Sequence, residues 1–222
     1  MAMTYETLYN TIQAYAENTE QLFVANIPVF VEQAEKRIYN TVQIPALRRN
    51  VTGTATAGNK YLSLPDDYLS TYSLAAIDTN GDYYYLLNKD VNFIREAYPT
   101  ASDTGQPVHY AIFGPNSTMP NELTFILGPT PDDQYYVELH YYYYPESITT
   151  ASSGTTWLGD NYPMCLLYGA LVEANIFLKG EADLQQNYEK LFTDNMGLLK
   201  NYADGRTRND NFRTPLPRGK YQ

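Results

Sequence analysis

Four stretches of the chain, two near each end, space apolar residues at three- and four-residue steps. The most apolar covers residues 163–178, where Met164, Leu167, Leu171, Ala174 and Leu178 take the helical step. Cys165, Tyr168, Val172 and Ile176 carry apolar character round the wheel, which predicts a helix enclosed on most sides. Asp160 or Asn161 is expected to cap it, with Pro163 in its first turn. Its single charge, Glu173, is expected to pair with a cation or a backbone group. Gly180 breaks the run, and a second helix is predicted over residues 181–202. Its one-sided face is Leu184, Tyr188, Leu191 and Leu198, with Phe192 and Leu199 beside it. At the other end, a helix starting at Thr4 faces Tyr5, Leu8, Ile12 and Tyr15 inward. Another runs from about Pro28 to Val42, with Phe30, Val31, Ala34 and Ile38 inward and Glu32, Glu35, Lys36 and Arg37 outward. Four such helices predict a bundle made from residues 1–44 and 157–202. Its expected core is Met164, Leu167, Leu171, Leu178, Leu184, Tyr188 and Leu191.

Between these ends the period changes from 3.6 to 2. Strands are predicted over residues 45–56, 60–64, 70–78, 82–87, 107–113, 122–127 and 134–144, with Asn80-Gly81 as a hairpin signal. Residues 90–98 read as a short helix capped by Asp90. Residues 45–156 are thus an inserted β domain, a small antiparallel sandwich or barrel. Its last stretch, 145–156, has linker composition. No periodicity remains after Tyr202, so residues 203–222 are expected to form an extended C-terminal arm. The fold class is α+β.

Composition sharpens this picture. The 222 residues include 23 tyrosines, and only 18% are charged. Tyrosine favours strands and also favours surfaces that contact other proteins. The net charge of −10 argues against general affinity for nucleic acid or anionic lipid. Residues 203–222 hold five basic side chains against two acidic ones, so the arm carries +3 and the remainder −13. One cysteine excludes an internal disulfide, and two histidines make a structural zinc site improbable. The first residues lack the blocks of a signal peptide, and no run is long enough to span a membrane. Cytoplasm-like conditions are expected.

Chemical motifs are scarce. Phosphate-binding loops, nucleophile elbows and metalloprotease signatures are all missing. Glu138 and His140 share one strand face and form an acid–base candidate, against the plainer reading of a partly exposed sheet face beside Tyr136 and Tyr142. Asp66-Asp67 and Asp132-Asp133 are candidates for cation binding, although aspartates at turns ordinarily serve the backbone. No cofactor is expected. Tyrosines on both faces of residues 141–144 let one face enter the β core and leave the other, with Tyr142 and Tyr144, for a neighbouring subunit or another partner.

Several segments in order carry a resemblance. They are Ile27-Pro28-x-Phe30-x-x-x-Ala34-Glu35-x-Arg37-Ile38, Tyr61-Leu62-x-Leu64-Pro65-Asp66-Asp67-Tyr68, Gly128-Pro129-Thr130-Pro131 and Trp157-Leu158-Gly159-Asp160. Leu166-x-Tyr168-Gly169-Ala170-Leu171-x-Glu173-Ala174 and Lys179-Gly180-Glu181 complete them. Together, over nearly the whole chain, the sequence resembles the head-to-tail adaptor (connector, or tail tubular protein A-like) ring proteins of short-tailed bacteriophages. The resemblance implies a structural virion protein of the neck, assembled in the host cytoplasm as a homo-oligomeric ring, a dodecamer in the family. It implies that the ring joins the portal protein to tail, nozzle or tail-tube proteins and forms part of the DNA conduit, without enzymatic activity, sequence-specific DNA binding or membrane association. The C-terminal arm would then grip the portal, which places Arg206, Arg208, Asn211, Phe212, Arg213, Pro215, Leu216 and Arg218 at that contact. An acidic body suits a conduit, because like charge keeps a passing duplex from adhering. Two other classes stay open on the residues alone. One is a β-sandwich module binding carbohydrate or protein through the tyrosines of 134–144. The other is a hydrolase using Asp66, Asp67 or Glu138.

Overall fold

The computed structural model describes residues 3–100, 102–114 and 123–207, with side chains as far as Asp204. The chain divides into two compact units, Leu47–Tyr144 and the pair of segments flanking it. The flanking unit contains α1 (Tyr5–Ala16), α2 (Gln21–Thr41), α4 (Trp157–Asn161), α5 (Pro163–Leu178) and α6 (Ala182–Thr207). The other contains β1 (Arg48–Ala55), β2 (Tyr61–Ser63), β3 (Tyr68–Ile77), β4 (Tyr83–Tyr85), β5 (Leu87–Asn88), α3 (Val91–Ala97), β6 (His109–Phe113), β7 (Thr124–Gly128) and β8 (Tyr135–Tyr143).

In the helical unit α5 packs against α1, α2, α4 and α6. Cys165, Leu166, Leu167, Ala170, Leu171, Val172 and Ala174 are all buried, as the all-round apolar pattern requires. A Cβ on Gly169 would stand 3.0 Å from both Ala34 Cβ and Phe192 Cε2, so at this glycine α2 and α6 both approach α5 closely. Several expected details are corrected. Pro28 lies inside α2 rather than at its start. It withholds one N–H from the helix, a cost of about 3 kcal/mol. Burial of Phe23, Ile27, Phe30 and Val31 on both sides of it offsets that cost. Asp160 and Asn161 cap nothing: Thr156 accepts the Gly159 N–H at the start of α4, and α5 follows as a separate helix. Tyr162 breaks the two because a residue before proline is driven out of the helical region. The helix expected to end at Tyr202 continues to Thr207, so residues 203–207 are helical rather than part of an extended arm. Residues 145–156 are more than a linker, since Ile148 is fully buried in the helical unit.

The β unit holds two four-stranded sheets, β1-β8-β3-β4 and β2-β7-β6-β5. Leu74, Ala76, Val137, Leu139 and Tyr141 from the first share one core with Tyr110, Phe125 and Leu127 from the second. Two facing sheets with separate edges make a sandwich, and the barrel alternative falls. One pairing is not antiparallel: β5 runs parallel to β6, with α3 in the crossover that such a pair needs. Asp90 caps α3 by accepting the Asn92 N–H. The Asn80-Gly81 signal is answered by a loop between β3 and β4, where Asp78 Oδ1 accepts from the N–H groups of Asn80 and Asp82.

Candidate interaction surfaces

Strand register builds the first surface. On β8, Val137, Leu139 and Tyr141 point into the sandwich, so Tyr136, Glu138, His140 and Tyr142 stand on the outer face. Their partners on β1 are Thr54, Thr52, Asn50 and Arg48. The Asn50 amide donates to Glu138 Oε1 at 2.8 Å, and His140 Nε2 lies 3.1 Å from the same oxygen. The His140 contact, with further hydrogen bonds from Tyr83 and Asn50, holds the Glu138 carboxyl below its ordinary range. Both groups are thus committed to a part-exposed ladder on the outer face of the sheet. Beside it Tyr72, Tyr83, Tyr85 and Tyr136 present exposed rings.

Tyr142 departs from expectation. It is only 6% exposed, because Arg48 folds over it: Nε and Nη2 donate to the Tyr142 hydroxyl at 3.0 and 2.7 Å. The same guanidinium lies 4.1 Å from the Tyr72 ring centroid. Tyr142 is therefore part of the sheet's packing, while Tyr144 is half-buried and its N–H donates to the Asp67 carbonyl. The exposed rings are instead Tyr72, Tyr83, Tyr85 and Tyr136. Register on β8 was the signal for one of them.

Three of the four candidate aspartates, Asp67, Asp132 and Asp133, bond groups of the fold. Asp67 accepts from Arg49 at 2.7 Å and from the Tyr141 hydroxyl at 2.8 Å. Burial, then that bond, pushes Tyr141 up to about 12. Asp132 accepts the Tyr135 hydroxyl, and Asp133 accepts the Gln134 N–H. Among the described residues no three metal-ligating side chains gather. Asp67 bonds Tyr141 on the inward side of β8 whereas Glu138 faces outward, so the two do not converge in one pocket.

The second surface lies on the helical unit. Of the expected core, Leu167 and Leu171 are buried, Leu178 and Tyr188 are half-buried, and Met164, Leu184 and Leu191 are exposed. α6 buries Phe192, Met196, Leu199 and Ala203 instead. That leaves Leu184, Leu191 and Leu198 as an exposed stripe at seven-residue spacing, with Leu198 62% exposed. Glu173 meets Arg37 at 3.9 Å, a loose pair in a half-exposed setting. Glu35, expected to face solvent, is 3% exposed and accepts the Ile148 N–H at 3.0 Å. Burial is the main cause that raises its pKa. Cys165 is buried, and loss of solvent pushes its thiol up to about 12, far from a reactive thiolate. Arg206 lies in α6, without a described side chain. Arg208, Asn211, Phe212, Arg213, Pro215, Leu216 and Arg218 lie outside the described residues. Among the described residues no helix is long and apolar enough to cross a membrane.

Comparison with known proteins gives one family. The family model described as SU10 adaptor protein matches residues 3–217. No curated protein matches the chain.

Proposed function

The chain belongs to the SU10 adaptor protein family, a structural family of phage adaptors rather than a class of enzymes, and from that membership we propose that it is one subunit of a homo-oligomeric ring at the virion neck. In this reading the ring, a dodecamer, joins the portal protein to tail or nozzle proteins and encloses part of the DNA path, without catalysing a reaction. The family match across residues 3–217 carries the proposal. The exposed leucine stripe of α6 supports it, because three leucines at seven-residue spacing form a seam suited to a neighbouring helix. The tyrosine-rich outer sheet face offers a second contact, with the half-buried Tyr144 just past the end of β8. We assign α1, α2, α5 and α6 to one four-helix bundle as the rigid body of each subunit. The basic C-terminal segment, with Arg206, Arg208, Asn211, Phe212, Arg213, Pro215, Leu216 and Arg218, is the portal grip: arginines pair with carboxylates and Phe212 fills a pocket. The acidic remainder lets DNA pass without adhering.

Native mass measurement of the purified protein, alone and mixed with its portal, tests the reading. A closed ring on the portal is the expected species. Removing residues 208–222 should leave the chain folded and abolish portal binding. A protein that stays monomeric with the portal present overturns the ring, and undiminished binding after the deletion overturns the grip.

A further inference from the structure

The outer face of the β2-β7-β6-β5 sheet carries a hollow that the surfaces above do not use. α3 seals part of that face by seating Ile94 against Ala111 and Ile126, with Val91 and Tyr98 packed alongside. Between α3 and the turn entering β2, a cavity of about 400 Å³ stays open. That volume lies within the range of sites that hold small molecules or a few peptide side chains. Ile94 and Ile126 give it an apolar floor, and Tyr61 and Tyr98 supply rings. The Tyr98 hydroxyl is tethered to His109 Nδ1 at 3.0 Å, which holds that ring in place.

Charge distinguishes the hollow from the rest of the molecule. Lys60 enters it from the β1–β2 turn and Arg95 from α3, and among the described residues no carboxylate lines it. In a chain of 25 acidic and 15 basic residues this is a reversal of the local sign. Arg37, Arg48 and Arg49 are committed to Glu173, Tyr142 and Asp67. Among the described residues neither Lys60 nor Arg95 joins a salt bridge. Two cations over an apolar floor concentrate positive potential where an anion with an apolar neighbour would fit.

We propose that this hollow docks an acidic peptide segment of a partner protein, with a carboxylate between Lys60 and Arg95 and an adjoining apolar or aromatic side chain laid on Ile94 and Ile126. The site acts within one β unit and does not depend on ring formation. Arg95 supplies a planar fork for the carboxylate, so a lysine there would restore charge without restoring geometry.

Titration calorimetry on the full chain tests this with two blocked peptides, acetyl-Asp-Phe-Glu-Phe-amide and its neutral counterpart acetyl-Asn-Phe-Gln-Phe-amide. The acidic peptide should bind at least about tenfold more tightly, and its affinity should fall as salt rises from about 50 to about 500 mM. Arg95→Ala and Lys60→Ala should each weaken it about tenfold, with Arg95→Lys recovering only part of the loss. Both side chains are exposed, so these variants should fold, and circular dichroism checks that they do. Equal binding of the two peptides, no binding of either, or unchanged binding by Arg95→Ala overturns the proposal. Loss of self-association by Arg95→Ala, with peptide binding intact, would assign the hollow to a second copy of the chain and overturn the partner.

Discussion

The two units solve the problem of burial with different chemistry. The helical unit encloses α5 in aliphatic and phenyl side chains and leaves few polar side chains inside, Tyr39, Glu35 and Asn175 among them. The β unit buries tyrosines and must find a partner for each hydroxyl. Tyr141 donates to Asp67, Tyr142 accepts from Arg48, and Tyr68 shares a hydrogen bond with Thr71. Aliphatic contact is non-directional, so the helical unit should fail chiefly when charge or volume enters it. Tyrosine burial is directional, so the β unit should fail when one acceptor is lost.

The sharpest way to break this contrast is Leu171→Asp. It sets an unpaired carboxylate in the centre of α5 and should cost more than about 4 kcal/mol, unfolding the helical unit. Far-ultraviolet circular dichroism reads the loss of helix, and a soluble, cooperatively folding variant would show that α5 is not the centre. The counterpart in the β unit is Asp67→Ala, which strips Tyr141 of its acceptor and Arg49 of its ion-pair partner. About 1–3 kcal/mol should be lost from that unit. Tyr141 should also ionise below its present value of about 12, readable by tyrosinate absorbance. Asp67→Asn, which keeps an acceptor, should lose less.

Glu35 tests a place where the helical unit behaves like its counterpart. Burial raises its folded pKa above the ordinary 4.5, so the folded state holds this proton more tightly than the unfolded chain does. Its contribution is therefore most favourable below pH 4.5 and declines as pH rises from there through the raised value. Glu35→Gln keeps an oxygen for the Ile148 N–H and removes that titration. The stability of the parent relative to this variant should fall between pH 4 and pH 7, measured by urea midpoints. A relative gain with rising pH would contradict the assigned burial. The smallest effect belongs to Lys179, which ends α5 at φ 52°. Lys179→Gly relieves a left-handed conformation that side chains disfavour and should add about 0.5–1 kcal/mol. A lower melting temperature would count against it.

Local pattern determined much of this protein. Helical spacing marked α1, α5 and α6, alternation and turn residues marked the strands, and Asp90 marked the start of α3, because each signal acts over a few residues. The acid–base candidate Glu138–His140 was legible for the same reason, since residues two apart on a strand share a face. Two families of apolar residues compete on α6, roughly 110° apart round the helix. Spacing alone favoured Leu184, Leu191 and Leu198, while packing against α5 buried Phe192, Met196, Leu199 and Ala203. Glu35 looked like a surface residue until the backbone of Ile148, 113 positions away, arrived to donate to it. Tyr142 looked free until Arg48, 94 positions away, covered it. The periodicity of each element is written in its own few turns, but which face is buried depends on partners that only the tertiary fold brings within hydrogen-bonding and packing distance.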